Sequence, residues 1–284
     1  MKKVFKCMIF FVLVLTGYTS VAQDKKFYIF LCFGQSNMEG SAKIEAQDTV
    51  NVDPRFRVLE AVDCPDLQRT KGKWYTAVPP LSRCKTGLTP ADYFGRTLIE
   101  NLPADVRVGV INVAVGGCKI ELFDKDNYQS YVATAPNWMI GMINAYDGNP
   151  YARLVEMAKI AQKDGVIKGI LLHQGESNTG DSTWPSKLNK VYNNLLNDLH
   201  LKAGNVPLLA GEMVGAPQGG KCASMNAIIA TLPKTIPTAH VISSADCPAV
   251  PDGLHFSAEG YRILGKRYAA QMLALLGVKM NETK

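Results

Sequence analysis

Residues 27–38 read Phe27-Tyr28-Ile29-Phe30-Leu31-Cys32-Phe33-Gly34-Gln35-Ser36-Asn37-Met38. An unbroken apolar run that stops at a glycine describes a strand buried on both faces. Such a strand belongs in a parallel sheet with helices packed on each side. The same grammar recurs along the chain, with apolar runs at 106–115, 167–172, 206–210 and 239–243. Between them lie amphipathic stretches of helical period at about 89–102, 150–164, 183–203, 225–232 and 258–276. Pro150 opens the second helix and Gly204 closes the third, as start and stop signals should. The last helix sets Tyr261, Leu264, Tyr268, Met272 and Leu275 on one stripe, which predicts a core-facing side. Five strands alternating with helices predict a five-stranded parallel sheet in an α/β protein.

Ligands on sheets of this kind bind outside the carboxyl ends of the strands. The polar clusters fall at those ends: Gly34-Gln35-Ser36-Asn37, Gly116-Gly117, His173-Gln174-Gly175-Glu176 and Asp252-Gly253-Leu254-His255. Their shared position predicts one site. Residues 41–88 and 118–149 read as long irregular insertions packed near its mouth. No repeat, low-complexity tract or linker divides the rest, so residues 23–284 are expected to form a single domain.

The start of the chain has a different character. Lys2, Lys3 and Lys6 precede a short apolar run at 8–15, too brief to span a bilayer. Ser20-Val21-Ala22 supplies small residues for a signal-peptidase site. Residues 1–22 are thus expected to be a signal peptide, cut after Ala22, with the mature protein secreted or periplasmic and free of the membrane. Loss of the three lysines lowers the formal net charge from +6 to +3. The remaining charges are mixed in sign, and no basic face suited to nucleic acid is evident.

Cys7 would leave with the leader, and Cys32, Cys64, Cys84, Cys118, Cys222 and Cys247 remain. An oxidising compartment permits disulfides among them. Cys64 and Cys84 bracket a segment with little apolar surface, where a covalent tie would order the chain. Cys222 and Cys247 follow the fourth and fifth predicted strands and suggest a second bridge. Cys32 and Cys118 are expected to stay reduced and buried, with a third bridge between them as the alternative because they lie near adjacent strand ends. No C-x-x-C or H-x-x-x-H spacing occurs, so neither a metal nor another cofactor is expected.

Ser36 stands at a sharp exit from the first strand, where a hydroxyl reaches the sheet's carboxyl edge. An N-cap serine opening a helix would look the same. The other end of the chain favours chemistry. In Asp252-Gly253-Leu254-His255 the spacing lets the carboxylate turn back onto the imidazole Nδ1–H, leaving Nε2 to accept a serine proton. Of the four histidines, His200 reads as exposed and His240 as opening a strand, which leaves His255 the best candidate base.

Taken together and in order, Gly34-Gln35-Ser36-Asn37-Met38, Ala114-Val115-Gly116-Gly117, His173-Gln174-Gly175-Glu176 and Asp252-Gly253-Leu254-His255-Phe256 resemble the GDSL/SGNH hydrolase superfamily. The nearest branch is that of sialate O-acetylesterase-like proteins and family-six carbohydrate esterases, acetylxylan esterases included. The resemblance spans residues 28–276. It implies a three-layer α/β/α sandwich of flavodoxin-like type, and an esterase that removes acetyl groups from carbohydrates such as xylan, other glycans or sialic acids. It further implies Ser36 as nucleophile, His255 as base and Asp252 as the orienting carboxylate. The oxyanion hole would comprise the N–H groups of Ser36 and Gly117. The superfamily's third donor is an Asn in a G-x-N-D block, which this chain lacks. Gln174 is the expected substitute, with Asn178 behind it. Glu176 is either a second carboxylate near His255 or a support for the Ser36 turn. Glu212 reads as structural. Trp138, Trp184 and Tyr146 either stack on sugar faces or anchor their own loops. Two other readings compete: a short-chain or aryl-ester esterase, and a catalytically silent carbohydrate-binding protein on the same fold. The absence of an apolar lid segment weighs against a lipase-like enzyme, and the intact Ser, His and Asp weigh against a mere binder.

Overall fold

A computed structural model describes residues 23–280. The proposed leader, residues 1–22, lies outside the described residues. The longest strand, β1 (Asp24–Gly34), is the axis of the molecule. Its side chains alternate between two apolar layers: Ile29, Leu31 and Phe33 enter one, Phe30 and Cys32 the other. That alternation requires apolar residues at every position, which is why the run is unbroken.

β1 pairs in parallel with β4 (Arg107–Ala114) on one side and β5 (Gly165–His173) on the other. β6 (Leu208–Gly211) and β7 (Ala239–Ile242) continue the sheet beyond β5, all parallel. Two more strands, β2 (Phe56–Leu59) and β3 (Trp74–Thr76), extend it beyond β4. The order is β3-β2-β4-β1-β5-β6-β7, seven strands where five were expected. The additional pair comes from the insertion 41–88. Their lengths of four and three residues are too short for a periodic signal, and β2 becomes a strand by pairing with Val108 to Val110 of β4. β3 is antiparallel, so the sheet is only mostly parallel.

Helices Pro150–Ala161 and Trp184–Asp198 cover one face; helices Pro90–Asn101 and Ala258–Leu275 cover the other. Three of the four start on side-chain caps, with Thr89, Asn149 and Ser257 accepting N–H groups of the first turn. Gly265 lets the last helix approach Pro90, whose carbonyl oxygen would lie 2.4 Å from a Cβ at that position. Tyr261, Leu264, Tyr268 and Met272 are buried as their stripe predicts, but Leu275 is 41% exposed because the helix is ending there. The insertion 118–149 is not irregular throughout: it forms a 3-10 turn, Ile120–Phe123, and helices Tyr128–Ala133 and Asn137–Asn144.

Cys64 and Cys84 are disulfide-bonded, and Cys32 and Cys118 are free and buried. The second bridge is absent. Cys222 packs against the layer on one face of the sheet and Cys247 lies in the layer on the other, so the strands between them keep the thiols apart. Among the described residues no helix is long and apolar enough to cross a membrane.

Candidate active site

The chain leaves β1 in opposite directions to reach β4 and β5, which makes the carboxyl end of β1 a topological switch point. Gly34 pairs there with both Ala114 and His173. Its φ is +149°, and a Cβ would lie 2.0 Å from the His173 carbonyl oxygen, so only glycine carries the strand this far against β5. The backbone then turns immediately into the one-turn helix Ser36–Glu39, which lifts the Ser36 hydroxyl above the sheet edge.

His255 arrives from the far end of the sequence, in the loop between β7 and the last helix. Asp252 builds that loop. Its Oδ1 accepts the N–H groups of Leu254 (2.7 Å) and His255 (3.0 Å), while its Oδ2 lies 2.6 Å from His255 Nδ1. Burial pushes the Asp252 carboxyl up, but the bonds from His255 and the two N–H groups outweigh it and hold it below the usual carboxylate range. An ionised Asp252 fixes the proton on Nδ1, leaving Nε2 as an acceptor 2.8 Å from Ser36 Oγ. A serine, an imidazole and a carboxylate thus lie in sequence, each within hydrogen-bond reach of the next. This arrangement can activate the hydroxyl as a nucleophile.

Asn37 joins the two halves. Its Nδ2 donates to Glu176 Oε1 and to the Leu254 carbonyl oxygen (2.9 Å). Its Oδ1 accepts from Tyr261 Oη (2.7 Å) and Phe256 N–H (3.3 Å). The residue beside Ser36 therefore grips the loop on both sides of His255. Glu176 supports this joint through Asn37 and approaches His173 Nδ1 at 3.7 Å; among the described residues it accepts no backbone N–H. His173 is buried, which depresses its pKa and favours the neutral ring against the Glu212 carbonyl oxygen. Glu212 accepts Ser244 N–H and takes no place in the cavity.

A cavity of about 480 Å³ opens over Ser36 and His255, walled by Gly117, Trp138, Met142 and Cys222. A second hollow of about 510 Å³ lies by Ala203, Pro237 and His240 near the other end of the sheet, with no serine, cysteine or carboxylate in its lining. Gly117 has φ +70°, and its N–H, like that of Ser36, meets no protein acceptor among the described residues. Two free backbone donors beside the Ser36 hydroxyl form the arrangement an oxyanion would need.

Gln174 does not reach this cavity. It is 1% exposed, and its amide nitrogen is engaged by Asn178 Oδ1 (2.8 Å), the Cys118 carbonyl oxygen and Gln35 Oε1, while its oxygen accepts from Trp184 Nε1. Asn178 is likewise committed, to Ile120, Glu121 and Asp181. The glutamine that lines the cavity is Gln35. Its Oε1 faces Gln174 Nε2 and the N–H groups of Gly175 and Ser177, which orients the group and leaves Nε2 without a protein acceptor among the described residues. Gln35 and Asn37 were in the quoted motif without a role. The signal was their polarity: both are buried beside Ser36, where an amide needs partners. Of the three aromatics, only Trp138 borders the cavity, 62% exposed; Trp184 and Tyr146 are buried anchors.

Solved structures share the fold. A protein from Arabidopsis thaliana is 22% identical with a TM-score of 0.67, over 87% of this chain and 98% of that one. NanS is 15% identical with a TM-score of 0.63, over 90% and 99%. A carbohydrate acetylesterase from Xanthomonas citri is 18% identical with a TM-score of 0.60, over 87% of this chain but only 56% of its own length. Residues 26–274 match the family described as carbohydrate esterase, sialic acid-specific acetylesterase, and the chain belongs to that family of carboxylic ester hydrolases.

Proposed function

We propose that this chain is an exported serine esterase that hydrolyses O-acetyl esters on carbohydrates through an acetyl-serine intermediate. The observation that carries the reading is the 2.8 Å contact of Ser36 Oγ with His255 Nε2, backed by Asp252 at 2.6 Å. Ser36 Oγ attacks the acetyl carbonyl carbon as its proton passes to His255. The tetrahedral oxyanion is held by the N–H groups of Ser36 and Gly117, with the Gln35 amide as the side-chain donor in place of Gln174. Collapse breaks the ester bond, and the sugar oxygen leaves with the proton from His255. Water then attacks the acetyl-serine with His255 again as base, releasing acetate and restoring Ser36.

The cavity volume suits an acetyl group and a sugar ring, with the exposed Trp138 face as the surface for the sugar. The Cys64–Cys84 bridge supports export, since structural disulfides persist in oxidising compartments. Residues 23–284 then act as one secreted or periplasmic domain.

Acetate release from acetylated xylan, other acetylated glycans and O-acetyl sialic acid tests the activity, with p-nitrophenyl acetate and palmitate alongside. Acetylated sugars and the short aryl ester are expected to turn over, and palmitate to resist. Efficient cleavage of palmitate would indicate a general esterase. Sugar binding without acetate release would indicate a silent binder. For export, the protein recovered outside the cytoplasm is expected to begin at Gln23.

A further inference from the structure

A carboxylate stands where this chemistry least tolerates one. Glu39, the last residue of the helix that begins with Ser36, borders the cavity and is only 11% exposed at its side chain. Its Oε1 accepts the Gly116 N–H at 3.1 Å. Its Oε2 lies 3.0 Å from the point where a Gly116 Cβ would sit, and Ser36 Cβ is 3.7 Å from that same point. Glu39 therefore holds the turn that presents the Gly117 N–H, with its charge close to where an oxyanion would form. Unpaired, that charge would repel the transition state it helps to position.

Arg83 is its partner. The guanidinium Nη2 bonds to Glu39 Oε1, and the side chain is 19% exposed. Its Nε is buried with no acceptor among the described residues, so the fold keeps this ion pair at some cost. Arg83 does not border the cavity.

The segment carrying Arg83 is fastened to the same region at several points. Ser82 Oγ lies 3.3 Å from Tyr146 Oη, which in turn donates to the Ala114 carbonyl oxygen at the end of β4. Gly87 N–H donates to Gly40 O, and Leu88 N–H to Ala42 O, both at 2.8 Å. The residue after Arg83 is Cys84, tied to Cys64.

We infer that Arg83 is a positioning residue for the ester-hydrolysing reaction. It neutralises Glu39 beside the oxyanion hole, and the Cys64–Cys84 bridge holds it there. This rests on the serine-esterase reading above. The disulfide-closed insertion thereby acts on catalysis, and reducing the bridge weakens the hole without touching Ser36, His255 or Asp252.

Acetyl-ester kinetics on the full mature chain test this by a charge cycle. Arg83→Gln keeps a hydrogen bond to Glu39 but loses the charge. It is expected to lower kcat about 10- to 100-fold with KM little changed. Arg83→Lys keeps the charge and should stay within a few-fold of wild type. The double variant Arg83→Gln/Glu39→Gln removes the exposed charge while keeping an acceptor for Gly116 N–H, and should recover most of the lost kcat. Equal impairment of Arg83→Gln and Arg83→Lys, or a double variant no better than Arg83→Gln, would overturn the role. Should Arg83→Gln not fold, native wild type reduced until two further thiols titrate gives the same test. Its kcat should fall, and unchanged kcat in the reduced protein would sink the proposal. A wild type that hydrolyses no acetyl ester at all would instead bring down the esterase reading, and this inference with it.

Discussion

The Ser36 turn and the His255 turn meet at 2.8 Å, yet they are held in opposite ways. The first ends an eleven-residue strand flanked by parallel partners, with Gln35 and Asn37 at 3% and 0% exposure. The second lies outside the sheet, with side-chain exposures of 26% for His255 and 42% for Asp252. Packing of the core places the Ser36 hydroxyl. A four-residue turn folded around its own aspartate orients the His255 ring, and Asn37 sets the one against the other. The difference implies that activity is more fragile than the fold. Damage to the exposed turn should cost turnover with little stability, whereas damage to the joint should cost both.

The largest expected effects come from the reacting groups on each side. Ser36→Ala should reduce acetyl-ester turnover by at least ~10⁴-fold, and Asp252→Asn by ~10²- to 10⁴-fold, because the tautomer and its stabilising charge are lost. Both should melt like wild type, since neither opens a cavity. A large drop in the melting temperature of Asp252→Asn would mean that its turn is part of the stable core after all.

Next come the two glutamines on the buried side. Gln35→Ala should lower kcat by ~10²- to 10³-fold, as loss of one side-chain oxyanion donor does. Gln174→Ala should cost less in kcat and more in stability, because it strands the buried Trp184 Nε1–H. The reverse ranking in steady-state kinetics and thermal melts would return the donor role to Gln174.

Asn37→Ala tests the joint. It takes the amide donor from the buried Glu176 carboxylate and the acceptor from the Tyr261 hydroxyl, so a loss of about 1–3 kcal/mol is expected. Since His255 is then free to drift from Ser36, kcat should fall as well. Denaturant unfolding and turnover measured on one preparation would check both, and a change in only one of them would break the coupling.

The smallest effect is one of protonation. Burial outweighs the pull of Arg69 and raises the Glu60 carboxyl to about 7. The unfolded value is near ~4.3. Between these values the folded state holds the extra proton, so the group's contribution to stability is lost as pH rises through about 7. Glu60→Gln removes that titration. Relative to wild type, its melting temperature should therefore be higher at about pH 8 than at about pH 5. A difference independent of pH would show that Glu60 does not titrate in this range.

Much of this was readable from the chain alone, and the reason is locality. Apolar runs of strand length, caps and helical stripes are written by near neighbours, and all five expected parallel strands form with the ranges shifted by a few residues at most. The Asp252-to-His255 turn is equally local, because three hydrogen bonds within four residues define it. So is the glycine that lets β1 run up to Ser36. Tertiary structure decided the rest. β2 and β3 exist because β4 offers an edge to pair with, and Cys222 stays free because the sheet stands between it and Cys247. Which glutamine faces the cavity was likewise settled between Gln35 and Gln174, 139 positions apart in sequence. Arg83 meets Glu39 across a separation of 44. Bonds of that reach leave no periodic trace in sequence; they form only after the sheet has brought the strand ends together.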